Sequence, residues 1–111
     1  MTSLSQQVHT NLVHYNKWSD VRFYGMESGV IVSGIPPTKL DSRDAPNSRE
    51  WVVPRSYLEK PQLSVAEINT WFVELTKLGS RPLRITIGIV SDDGTIVYYF
   101  IYDGVVQPPQ N

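Results

Sequence analysis

Eight consecutive residues near the C-terminus, Thr95-Ile96-Val97-Tyr98-Tyr99-Phe100-Ile101-Tyr102, constrain the fold of this chain more than any other feature. β-Branched and aromatic residues dominate the run, so it reads as a strand. Apolar and polar residues do not alternate along it, so both of its faces are apolar and each needs a covering layer. Ahead of it, Ile85, Ile87 and Ile89 alternate with Thr86, Gly88 and Val90 as a preceding strand. Asp93-Gly94 between the two is a strong hairpin signal, because both central positions of a type I′ turn need positive φ. With that two-residue loop, Val90 faces Val97, Gly88 faces Tyr99 and Ile87 faces Phe100.

One cover is legible upstream. Ser64-Val65-Ala66-Glu67 has the form of a capping box, in which the serine hydroxyl and the glutamate each satisfy an end group of a helix. Val65, Ile68, Phe72, Leu75 and Leu78 follow at helical spacing, with Trp71 beside the stripe. Gly79 suits the residue just past the helix end, and Pro82 prevents continuation. This helix covers one face of a sheet. The other face has little to cover it beyond a short first helix, capped by Ser3 or Ser5, with Val8, Leu12 and Tyr15 on one side. Between the helices, Asp20 to Gly25 and Gly29 to Gly34 read as a hairpin turning at Glu27-Ser28-Gly29. Pro36-Pro37 ends its second strand. Residues Thr38 to Arg49 read as a long mobile loop, and Glu50 to Val53 as a strand stopped by Pro54. The sum is an α/β (α+β) fold, a small mixed sheet with two helices, in one domain over residues 1–111.

Composition excludes several functions. The 111 residues carry a net charge of -1, against the basic excess of a domain that grips phosphate backbones unaided. There is no cysteine, which rules out disulfides and thiolate metal sites. No apolar run has the length of a membrane helix, and Met1 to Gln7 does not form a signal peptide. His9 and His14 fall off the apolar stripe of the first helix, and no further ligands accompany them, so they read as solvated. No nucleophile elbow, phosphate loop or metal set is present, and no cofactor is implied. Asp92 and Asp93 read either as turn chemistry or as an acidic contact loop. Tyr98, Tyr99 and Tyr102 read as core or protein interface, because no basic residues interleave with them as a base-stacking platform requires.

The run Ser91-Asp92-Asp93-Gly94-Thr95-Ile96-Val97-Tyr98-Tyr99-Phe100-Ile101-Tyr102-Asp103-Gly104-Val105, with Pro108-Pro109-Gln110-Asn111 at the end, closely resembles the tail of the tRNA-splicing endonuclease subunit fifteen family, nearest its fungal members. Lys17-Trp18-Ser19-Asp20-Val21 after a short helix, and the order of elements, resemble the same family. The resemblance implies a four-subunit endonuclease with two catalytic and two structural subunits, all sharing an α/β nuclease-like (restriction-endonuclease-like) domain.

The small subunit is then structural. It pairs side by side with a catalytic subunit through its C-terminal strand, here Val97, Tyr98, Tyr99, Phe100, Ile101 and Tyr102. A loop matching Ser91 to Gly94, with Asp92, Asp93 and Gly94 at its tip, docks into the other half. Pre-tRNA is met indirectly, the isolated chain can form a homodimer, and the address is the nucleus or the cytoplasmic face of mitochondria. Catalytic members resemble general acid–base ribonucleases built on Tyr, His and Lys. Pro82-Leu83-Arg84 stands where the lysine belongs, and an arginine is too basic to replace it. The rival readings are an independent RNA-binding module and an active ribonuclease.

Overall fold

The computed structural model describes residues 3–26, 29–40, 44, 47–58, 64–79 and 81–103. The element order is α1 (Leu4–His14), β1 (Ser19–Met26), β2 (Gly29–Ile35), β3 (Glu50–Ser56), α2 (Val65–Thr76), β4 (Arg84–Val90) and β5 (Ile96–Tyr102). The strands form one mixed sheet in the order β1-β2-β3-β4-β5, antiparallel except for the β3–β4 pair. Parallel neighbours require a crossover, and α2 is that crossover. The expected fold class, a mixed sheet with two helices, is the one observed.

Each face of the sheet has its own helix and its own core. α2 lays Trp71, Phe72 and Leu75 over Ile31, Val53, Ile85 and Ile87. α1 lays Val8 and Leu12 over Val32, Val52 and Val90 on the opposite face. The short first helix is therefore the second cover that the two-faced strands demand. Ser3 caps it, accepting from the Gln6 N–H while the Gln6 side chain accepts from the Ser3 N–H, a complete capping box. At α2, Ser64 accepts from the Glu67 N–H at 3.0 Å, and the Glu67 carboxylate is engaged by Arg55 at 2.8 Å.

Several local features differ from the sequence reading. α2 ends at Thr76, and Leu78 and Gly79 close it with tight turns onto Leu75 and Thr76 rather than with a left-handed glycine. Val65 and Leu78, at the ends of the expected stripe, are exposed. β3 does not stop at Pro54 but runs on to Ser56. Its pairing with β2 ends at Val52, so at Pro54 the strand is locally an edge, where a missing N–H is tolerated. Two residues of the expected mobile loop are tied down. Arg49 donates to the Asp20 backbone carbonyl at 3.1 Å and to Ser33 at 3.2 Å, and Asp44 is bound by Arg84. The Glu27-Ser28 part of the first hairpin turn and the tail from Gly104 onward lie outside the described residues.

The most consequential difference is the β4–β5 turn. Only Gly94 has positive φ, +91°, and its N–H donates to the Ser91 carbonyl at 3.0 Å. The Ser91 N–H in turn donates to the Thr95 carbonyl at 2.8 Å. This is a three-residue loop, a β-turn followed by a glycine bulge, not the two-residue type I′ turn. The extra residue shifts the register, so that Val90 opposes Ile96, Gly88 opposes Tyr98 and Ile87 opposes Tyr99. Side chains alternate with a period of two, so this shift of one moves every β5 side chain to the face opposite the one expected.

Candidate functional site

β5 is an edge strand, and its side chains follow from the corrected register. Val97, Tyr99 and Ile101 lie on the α2 face, where Ile101 packs against the core around Phe72. Ile96, Tyr98, Phe100 and Tyr102 lie on the α1 face. Both helices stop short of this edge. Val97 and Tyr99 remain 42% and 55% exposed on one face, and Phe100 and Tyr102 45% and 39% on the other. The strand thus offers two half-exposed apolar faces and, among the described residues, an unpaired backbone edge.

Tyr98, like Ile101, is committed within the chain. Its ring lies over Gly88, close enough that a Cβ there would come within 3.1 Å of it. Its hydroxyl donates to Asn11 Oδ1 on α1 at 2.7 Å. Burial pushes the phenol up to about 12, since the phenolate would lose its hydration.

Beneath Phe100 and Tyr102 lies a buried ion cluster. The Arg84 guanidinium carbon sits 5.4 Å and 6.0 Å from the two ring centroids, and the rings meet edge to face. Arg84 is only 4% exposed and donates to Glu50 at 2.8 Å and 3.2 Å and to both Asp44 oxygens. The hydrogen bonds that it donates to Asp44, together with the charge of Glu50, hold its pKa above the ordinary arginine value. Burial holds Glu50 above the usual carboxylate value, and the attraction of Arg84 only partly offsets it. Sequence reasoning missed this cluster. The carboxylate partners lie 34 and 40 residues from Arg84, so no local spacing marks them.

Asp92, Asp93 and Gly94 form the exposed tip of the hairpin. Asp93 Oδ1 accepts from the Thr95 N–H at 3.0 Å, and this backbone bond holds its carboxyl below the usual carboxylate value. No cation pairs with either aspartate among the described residues. The tip therefore presents two negative charges to solvent.

The other edge of the sheet is built differently. β1 carries a bulge between Ser19 and Arg22, and Lys17 and Asp20 adopt positive φ beside it. Arg22 bonds Asp20 at 2.9 Å, and Arg49 clamps the same carboxylate. Bulges and charges are the usual devices that block an edge from pairing with another chain. β5 has neither. The expected solvated histidines are split: His14 is exposed, whereas His9 stacks on Phe23 with ring centroids 4.9 Å apart. Among the described residues no group of three His, Cys, Asp or Glu could hold a metal, and no helix is long and apolar enough to cross a membrane.

Comparison with known proteins agrees with the residues that carried the resemblance. The model of the Sen15 protein family matches residues 7–111. A protein of Eremothecium gossypii (strain ATCC 10895 / CBS 109.51 / FGSC 9923 / NRRL Y-1056), the tRNA-splicing endonuclease subunit SEN15, is 33% identical over 111 residues, which is 100% of this chain and 93% of the relative. With a family match spanning the sheet, α2, most of α1 and the acidic hairpin, the chain belongs to the Sen15 family.

Proposed function

We propose that this chain is a non-catalytic structural subunit of the tRNA-splicing endonuclease. It pairs through β5 with a neighbouring catalytic subunit, and it presents the Asp92–Asp93 turn to the other half of a four-subunit assembly that excises introns from pre-tRNA. The observation that carries this reading is the asymmetry of the sheet, with β1 blocked by a bulge and ion pairs and β5 left open with apolar residues on both faces. The kinship supports the choice of complex, because the relative aligned over the whole chain is described as a tRNA-splicing endonuclease subunit.

The chemistry favours structure over catalysis. General acid–base cleavage of RNA needs groups that exchange protons near neutral pH. Both histidines of the sequence belong to α1, and His9 is engaged with Phe23. Arg84, at the position expected of a catalytic lysine, is buried between two carboxylates that make it harder still to deprotonate. Incubating pre-tRNA with the isolated chain, and with the endonuclease reconstituted with and without it, tests the reading. Expected is no cleavage by the chain alone and a complex that fails to assemble without it. Specific cutting at the splice sites by the chain alone, abolished by a point substitution in it, would overturn the proposal.

A further inference from the structure

The described charges of this chain sort along the direction of the strands. β1, β3 and β4 begin, and β2 and β5 end, at one end of the sheet, since Ser19 opposes Ile35, Gly34 opposes Glu50, Val52 runs beside Thr86 and Arg84 opposes Tyr102. At that end four arginines meet four carboxylates: Arg22 and Arg49 hold Asp20, Arg84 holds Asp44 and Glu50, and Arg81 holds Asp103. Glu74, in the last turn of α2, is buried. The charge left on the surface there is lysine. Lys17 lies between α1 and β1, Lys39 follows β2, and Lys77 is the C-cap of α2. All three are exposed, and none makes an ion pair or side-chain hydrogen bond among the described residues. The opposite end carries the reverse sign. Arg55 is paired there with Glu67, and Asp92 and Asp93 stand without a cation among the described residues. Lys17 has φ +61°, in the left-handed region that favours glycine, so the backbone alone gives no reason for a lysine at this position.

We infer that the lysine end is a contact surface for the phosphate backbone of pre-tRNA, met by Lys17, Lys39 and Lys77 while the chain is held in its complex. The inference rests on the proposed membership of the tRNA-splicing endonuclease, and it puts a direct contact where the resemblance implies an indirect one. Three lysines are too few to grip RNA unaided, in keeping with the net charge of -1. Inside an assembly they add to a grip made elsewhere, because each lysine that neutralises a phosphate releases a condensed counterion. Lysine is a point charge that meets a phosphate without a fixed geometry. The forked arginines that would suit the carboxylates of an acidic protein segment are already engaged at this end. The three lysines also sit on three separate connections rather than in one pocket, which suits an extended polyanion better than a single acidic side chain. Asp92 and Asp93 repel the same backbone, so the separation of charge turns the lysine end toward RNA.

The triple variant Lys17→Gly/Lys39→Gln/Lys77→Gln tests the surface. Glycine relieves the left-handed backbone at position 17, and the other two side chains are exposed, so the free chain should melt within a few degrees of wild type. The measurement is the affinity of the reconstituted endonuclease for pre-tRNA over a series of salt concentrations, with assembly followed by native mass spectrometry. The expected result is a complete complex that binds pre-tRNA at least about tenfold more weakly at moderate salt. Its plot of log affinity against log salt should be shallower by about one unit for each lysine removed. A complete complex with wild-type affinity and slope would show that this end does not touch RNA, and the inference would fall while membership of the complex stands. A variant chain that melts as wild type but no longer assembles would show that the lysines face a protein subunit, which also overturns the inference. If the wild-type chain itself does not assemble with the other subunits, the proposed function fails and the inference fails with it.

Discussion

At the scale of single residues, Tyr98 and Arg84 do the least replaceable work. Tyr98 fills the space that Gly88 leaves open and reaches across the sheet face to Asn11. Tyr98→Phe removes that hydrogen bond and should cost about 1 kcal/mol. The sign of its pH dependence follows from burial. The folded state favours the neutral phenol, so the stability it contributes is complete below pH 10 and is lost as pH rises through about 12. A spectrophotometric titration should therefore show a late ionisation of Tyr98, absent in Tyr98→Phe, whose alkaline unfolding is shallower over the same window. Arg84 neutralises two carboxylates that are themselves nearly buried. Arg84→Ala strands both and should cost about 3–5 kcal/mol, readable as a shift in the denaturant midpoint. Arg84→Lys should recover only part of this, because an ammonium cannot make the forked contacts to Glu50 and Asp44.

At the scale of elements, what the sequence made legible depended on whether the signal was local. The α2 helix, the pairing of β4 with β5 and the two-sided burial all follow from spacing within one segment. Two differences came from forces outside the segment and a third from the turn itself. Pro54 reads as a stop, but β2 withdraws at Val52 and leaves it room within β3. Asp44 and Arg49 fall in a stretch that reads as a mobile loop, but their anchors, Arg84 and Asp20, lie 40 and 29 residues away. The hairpin turn at Asp93-Gly94 takes one residue more than the shortest motif, and that residue alone exchanges the faces of β5. The candidate interface strand was thus identifiable from sequence, but the side on which each aromatic lies was not. Gly94 tests the turn directly. Gly94→Val places a β-branched residue at φ +91° and should destabilise the chain by at least about 1–2 kcal/mol, read in a thermal melt. Nothing lies within 4 Å of a Cβ at that position, so the cost is purely one of backbone conformation. Gly88→Ala contrasts with it: φ is ordinary there, but the new methyl meets Tyr98 and Val52 at 3.1 Å and 3.3 Å. Overpacking of that kind costs about 1–3 kcal/mol and should disturb the Tyr98 titration as well.

At the scale of the whole molecule, the sheet is finished on one side and open on the other. A chain with a blocked β1 and an unblocked β5 has one direction in which to extend its sheet. Without a partner, β5 should drive weak self-association, detectable by sedimentation as a dimer or higher species at high micromolar concentration. A clean monomer there would count against an adhesive edge. The most direct test of a structural role through β5 combines thermal melts of the free chain with native mass spectrometry of the reconstituted endonuclease, using Val97→Lys/Tyr99→Lys. Both side chains are about half exposed, so the lysines can reach water and the free chain should melt within a few degrees of wild type. The expected result is a folded chain that no longer enters the four-subunit complex. A double variant that assembles as wild type, with the same resistance to salt, would show that β5 is not the surface through which this chain joins its complex.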